Sequence, residues 1–308
     1  LYQKARIFIN NDKFEKVHEI RKKISHYSPD SRFLDEIDYW LGYKNNDIRK
    51  VHNSIKQLRI KGVCDEELKL KWTNFYLMES KYDKVIAEIC KDNEGKIAEK
   101  YRKYASAYYQ AGVVYAVQGQ FEIAKSLFSN ALDKKYNIVY DYNLAMTSAS
   151  AILEKIKVEH KIGEKVKSEA EAISAKLSEV RYFINDGLKE VRLKYWWNYL
   201  NLLGLYNHSL IIEEYECVHE DLKGEEPIAV IVSEAYYFGK RFREALPFLE
   251  KIWHLDSLFL SRLMHVYSEL DMWDLIDELF KKDITHLIDS EGNIFLYKGE
   301  SLNKKGDI

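Results

Sequence analysis

The sequence predicts an all-α protein, and three observations carry that prediction. The first is turn chemistry: among 308 residues only 3 are Pro and 13 are Gly. An all-β chain with a turn roughly every 8–12 residues needs far more of both. The second is the i, i+3, i+4 recurrence of apolar residues, as in Val85, Ile86 and Ile89. The third is an internal period. Phe14-Glu15-Lys16-Val17, Ile48-Arg49-Lys50-Val51 and Tyr82-Asp83-Lys84-Val85 repeat one pattern at a spacing of 34 residues. A chain of this length strains a single compact core, so two domains or an elongated array are expected.

Each of these tetrapeptides follows a polar turn: Asn11-Asp12, Asn45-Asn46-Asp47 and Glu79-Ser80-Lys81. The unit is therefore helix, short polar turn, helix. A fourth unit has Tyr108, Gly112 and Tyr115 on its first helix, then Gln118-Gly119-Gln120. Its second helix carries Phe121, Ala124, Phe128 and Ala131. Gly112 and Ala124 supply the small side chains that let two helices approach to roughly 8–10 Å. With these residues the chain resembles a tetratricopeptide-repeat protein. The resemblance implies a right-handed α-solenoid of about eight to nine helical hairpins.

The middle of the chain loses the period. Val166, Ala170, Ile173, Leu177, Val180 and Ile184 step by 4, 3, 4, 3 and 4, which predicts one long helix lying against its neighbours. Trp196-Trp197 opens another apolar helix, and a further one is expected from about Leu210 to Leu222. Two later units follow. One runs through Ser233, Tyr236, Gly239, Phe242, Ala245, Pro247 and Leu249, with Pro247 expected in the opening turns of its helix. The other carries Tyr267, Asp271, Trp273, Ile276 and Phe280. Met264 and Ile276, like Val17, Val51 and Val85 earlier, replace small residues of the family pattern and imply wider helix spacing. Leu1 to Phe8, with Ala5, reads as a first helix entered midway, and Phe295 to Ile308, with Gly299, as a first helix and its turn. The expectation is a slice of a longer protein. Three regions result: regular repeats over 1–134, long irregular hairpins over 135–226, and regular repeats over 227–308, the last truncated.

Net charge is −2, which speaks against bulk attraction to nucleic acid. It conceals a gradient, from +6 over residues 1–110 through +2 over 111–207 to −10 over 208–308. An acidic C-terminal surface would steer a basic partner. The basic cluster Arg21-Lys22-Lys23 is diluted by Glu15 and Glu19 and reads as a solvated face. Cys64, Cys90 and Cys217 are scattered and odd in number, so a reducing, cytoplasmic setting is expected. No uninterrupted apolar run reaches membrane-spanning length. No phosphate-binding, dinucleotide or nucleophile-elbow motif occurs, nor a metal-binding His pair, so no catalytic, cofactor or metal site is assigned.

The resemblance places ligand on the concave side, lined by the first helix of each unit. Carrying those positions across gives Tyr2, Arg6, Glu36, Trp40, Tyr43, Leu70, Asn74, Tyr109 and Val113. Further along come Val230, Glu234, Tyr237, Ser261 and His265. Family members that grip a C-terminal carboxylate use a Lys and Asn pair here, and this chain has Asn74 beside Leu70. An aromatic groove with scattered charges suits an apolar or amphipathic peptide. The expected function is a non-catalytic protein- or peptide-binding scaffold, with homo-oligomerisation left open. A competing expectation is the ligand-sensing arm of a larger signalling protein, whose NTPase, nuclease or DNA-binding effector lies outside these residues.

Overall fold

The computed structural model describes residues 1–10, 13–45, 47–159, 162–184, 187–282, 284, 287 and 293–305, without the side chains of residues 6, 7, 10, 293 and 305. The turn at Asn11-Asp12, Asn46 of the second turn, Gly306-Asp307-Ile308 and the Arg6 side chain lie outside the described residues. The protein is all-α. Eighteen α-helices and three short 3₁₀ turns are described, with no strand among the described residues. A single isolated β-bridge pairs Cys90 with Ile97. Two compact units divide the chain, Leu1–Thr147 and Ser148–Ile308.

The first unit is a series of helix pairs: α1 (Tyr2–Asn10) with α2 (Phe14–Tyr27), and α3 (Arg32–Lys44) with α4 (Ile48–Ile60). They continue with α5 (Asp65–Met78) and α6 (Tyr82–Ile89), then α7 (Ala105–Val117) and α8 (Phe121–Lys134). Each second helix also touches the first helix of the next pair, α2 on α3, α4 on α5 and α6 on α7. First helices meet too, α1 on α3 and α5 on α7. The apolar side chains are buried between helices in successive layers. Ala5, Val17, Ile37 and Leu41 form one cluster, Tyr39, Val51, Ile55 and Leu58 the next, and Val85, Ile89, Ala111 and Phe128 a third.

One turn geometry joins these pairs. The third residue of the turn donates its N–H to a carbonyl five residues back: Lys81 to Tyr76 at 2.8 Å, and Gln120 to Tyr115 at 2.9 Å. The middle residue lies in the left-handed region, with φ of 54° at Ser80 and 75° at Gly119, and bonds the carbonyl three residues back. This is the Schellman closure, which satisfies carbonyls that the helix end leaves open. The same pair of bonds recurs in the second unit at Lys240–Arg241 and Asp271–Met272. Bonds of the five-residue kind also close the first two pairs, from Lys13 to Phe8 and from Asp47 to Gly42.

Helix approach depends on where the small residue falls. A Cβ on Gly112 would meet the Phe128 ring at 2.8 Å, so this position keeps α7 and α8 in close contact. In the α3–α4 pair Tyr39 occupies the corresponding place and is fully buried. Gly42, one helical turn on, is the close-approach residue there, with the Val51 backbone nitrogen 3.0 Å from a Cβ.

The unit boundary falls inside α9 (Ile138–Glu159). The second unit continues with α10 (Glu164–Val180), α11 (Lys189–Gly204), α12 (His208–Tyr215) and the short α13 (Glu220–Lys223). Then come α14 (Glu226–Phe238) with α15 (Phe242–Ile252), α16 (Ser257–Glu269) with α17 (Trp273–Phe280), and α18 (Asn293–Lys305). α11 packs on α10, α12 and α14, and α16 on α15 and α18.

Two expectations for this unit change. The long heptad-like helix stops at Val180, and Arg181–Phe183 forms a 3₁₀ turn. There the Arg181 guanidinium leaves the helix axis to bond Glu214 and lies 5.1 Å from the Trp196 ring centroid and 5.3 Å from that of Tyr199. Ile184 is nevertheless buried, so the apolar stripe outlasts the helix. The single helix expected from Leu210 to Leu222 is broken after Tyr215 and resumes only as the short Glu220–Lys223 helix, with both Val218 and Leu222 buried. Pro247 is the sixth residue of α15, in the second turn and so within the opening turns expected for it, and it sits on the exposed side.

Candidate functional site

In the first unit, α3, α5 and α7 share a face on which polar and aromatic groups connect from helix to helix. Glu36 of α3 accepts from Lys71 Nζ of α5 at 2.8 Å, with only 13% and 15% of the two side chains exposed. The Lys71 ammonium also lies 4.4 Å from the Tyr39 ring centroid and 5.7 Å from that of Trp40. Tyr2 donates to the same Glu36 carboxylate at 3.4 Å. A cation placed over aromatic faces and paired with a carboxylate is held by both attractions.

Asn74, one turn beyond Lys71, is used at both ends. Its amide donates to the Tyr39 hydroxyl at 3.1 Å, and its carbonyl accepts from Gln110 Nε2 of α7 at 2.7 Å. Gln110 donates also to the Leu70 carbonyl at 3.0 Å, and its own carbonyl bonds the buried Thr73 hydroxyl. Burial pushes the Tyr39 hydroxyl pKa far up, against the bond from Asn74, so the phenol stays protonated.

Aromatic rings complete the face. Trp40 sits 5.1 Å from Tyr39 and 5.9 Å from Tyr43, edge-on to both. Tyr109 stacks on Tyr140 of α9 at 4.7 Å and leans on Phe128 at 5.8 Å. The Tyr109 pKa is raised by burial first, then by Tyr43 and Tyr140. Burial likewise raises the Tyr43 hydroxyl pKa. Of the groove positions the resemblance implies, Trp40 and Tyr43 are linked through Tyr39 to Asn74, and Asn74 bonds Gln110, the neighbour of Tyr109 on α7. Trp40, Tyr43, Asn74 and Tyr109 are all half-buried, so they pack between helices as well as facing outward.

The second unit has a counterpart. Glu234 of α14 accepts from Arg262 of α16 at 2.6 Å, and the guanidinium lies 5.5, 5.2 and 5.8 Å from the Tyr237, Phe238 and Phe259 rings. Tyr237 and His265 Nδ1 share a hydrogen bond of 2.7 Å, and His265 Nε2 lies 3.4 Å from Glu269. Glu234, Tyr237 and His265 are thus brought together too. The two groups of predicted residues belong to different units, and each is self-contained.

The positions carried over from the resemblance omit Lys71, Gln110, Tyr140 and Arg262. The available signal was opposite charge about one repeat apart, Glu36 with Lys71 and Glu234 with Arg262. Among the described residues no group of three or more His, Cys, Asp or Glu side chains is placed to hold a metal ion. Cys64, Cys90 and Cys217 are free thiols, and burial pushes that of Cys90 up to about 11, away from nucleophilic use at neutral pH. No described helix is long and apolar enough to cross a membrane. Comparison with protein-family models and with curated proteins returns no match.

Proposed function

We propose that the protein is a non-catalytic, peptide-binding helical-repeat scaffold of the tetratricopeptide kind, a right-handed α-solenoid whose first helices line a concave groove. The recurring helix pairs and their common Schellman turn support the repeat reading. The observation that carries the binding reading is the linkage of Trp40 and Tyr43 through Tyr39 to Asn74, and of Asn74 to Gln110, the α7 residue next to Tyr109. Charges on that face are already paired within it, so ligand contact there rests on ring faces and apolar area rather than on ion pairs. A ligand of apolar or amphipathic sequence fits this surface.

The test is selection of binders from a random peptide library on the immobilised wild-type chain, followed by affinity measurement with variants. Trp40→Ala and Tyr109→Ala are each expected to weaken the selected peptides about tenfold, in the range of ~1–2 kcal/mol seen for interface anchors. Selected peptides that bind both variants as tightly as the wild type would contradict the groove assignment.

A further inference from the structure

Rings of α14, α15, α16 and α18 converge in the second unit. His265 lies 5.5 Å from Tyr237, 5.6 Å from Phe242 and 6.2 Å from Tyr297, measured between ring centroids. Two carboxylates border this group. Glu269 is 3.4 Å from His265 Nε2 and half exposed, and Glu300 is exposed one helical turn from Tyr297. The His265 and Tyr297 ring centroids are 6.2 Å apart, so the carboxylate beside each borders the same spot, and burial first, then Tyr237, Glu300 and Glu269, raises the Tyr297 hydroxyl pKa. Neither has a Lys or Arg partner among the described residues.

The protein's own cations show what such surroundings hold. Lys71 and Arg262 each sit over aromatic rings while paired with one carboxylate. The Tyr237–His265–Tyr297 group has rings and two carboxylates; Arg262 already lies over Tyr237 but is paired with Glu234, so it leaves Glu269 and Glu300 without a paired Lys or Arg among the described residues. Phe238, Leu258 and Leu296, on the same three helices α14, α16 and α18, are about half or more exposed. The charge balance of residues 208–308 is −10, so an approaching cation is attracted before contact.

We propose that the Tyr237–His265–Tyr297 group, with Glu269 and Glu300, binds an arginine or lysine side chain of a basic peptide. This inference rests on the peptide-binding reading of the fold and adds a charge requirement located in the second unit. Ring faces and carboxylates together select a cation with an apolar stem.

The experiment uses the full chain and a fluorescein-labelled 12-residue peptide with arginine at every third position, separated by alanine and leucine. A second peptide replaces each arginine by citrulline, which keeps the shape and removes the charge. Fluorescence anisotropy at 50 and 150 mM NaCl is expected to give at least tenfold tighter binding of the arginine peptide, weakening as salt rises. The double substitution Glu269→Gln/Glu300→Gln is expected to remove most of that preference. Glu213→Gln/Glu278→Gln, which removes the same charge elsewhere in this unit, is expected to leave it within twofold.

No measurable binding of the arginine peptide overturns the proposal, as do equal affinities for the two peptides. A preference lost equally in both double variants also overturns it, because general acidity would then be the cause. Trp40→Ala is the separate control. A neutral peptide that still depends on Trp40 leaves the peptide-binding reading standing when the cation site fails.

Discussion

Lys71 Nζ of α5 lies 2.8 Å from Glu36 of α3 and 4.4 Å from the Tyr39 ring centroid, so one ammonium ties two first helices together. Because both charged groups are largely covered, removing one leaves the other without a partner in a poorly solvated place. Lys71→Met is expected to cost about 2–3 kcal/mol, below the cost of breaking a fully buried pair. Glu36→Gln/Lys71→Met together should cost less than the sum of the two single changes. Urea unfolding of the four proteins checks this, and additive losses would show that the pair does not act as a unit.

Lys240 adopts φ of 54° at the middle of the α14–α15 turn, a region that costs a non-glycine residue about 1–2 kcal/mol. Glycine removes that strain but loses roughly 0.5–1 kcal/mol through greater freedom in the unfolded chain. Lys240→Gly is therefore expected to raise stability by about 0.5 kcal/mol, whereas Lys240→Ala should give no such gain. A shift in the urea midpoint at unchanged slope is the readout.

Gly112 and Phe128 set the spacing of α7 and α8, since an added Cβ would lie 2.8 Å from the ring. Gly112→Ala should destabilise by about 1–3 kcal/mol through overpacking. Adding Phe128→Leu should restore part of the loss, which a thermal melt of the double variant measures.

Asp38 is flanked by Arg21, at 2.7 and 3.0 Å, and by Lys50 at 3.2 Å. Burial alone would raise its pKa, but the Arg21 and Lys50 charges outweigh it and hold the carboxyl below its usual range. A folded pKa below the unfolded one gives stability that is full above the unfolded value, near pH ~4. That stability is lost as pH falls through the folded value. Stability measured from pH 7 to 2.5 should fall at the acid end, and Asp38→Asn should flatten part of that fall. An identical acid limb in the variant would remove Asp38 from the account.

Much of the fold is legible in the sequence because one turn recurs. The repeated tetrapeptides and the polar three-residue connection before each lead to the helices of the first unit, whereas the groove positions Trp40, Tyr43, Asn74 and Tyr109 come from the family resemblance. The departures come from contacts that no local period encodes. Lys71 reads as a solvated helical lysine until Glu36, 35 residues away, is placed beside it. Gln110 looks like an ordinary polar residue, yet it joins Thr73, Asn74 and the Leu70 carbonyl in the interior. α10 ends at Val180, where Arg181 bonds Glu214, 33 residues later, and the apolar stripe through Ile184 masks that end.

The most direct measurement follows the indole N–H signals of the protein's 6 tryptophans while a library-selected peptide is titrated in. Trp40 is the tryptophan of the proposed groove, Trp72 packs on the same cluster as Trp40 and Tyr43, and Trp196 is buried in the second unit. Binding through the first-unit face predicts a saturating shift of the Trp40 signal, abolished assignment of that signal in Trp40→Ala, and an unchanged Trp196 signal. A saturating shift of other indoles with Trp40 unmoved would contradict the central claim.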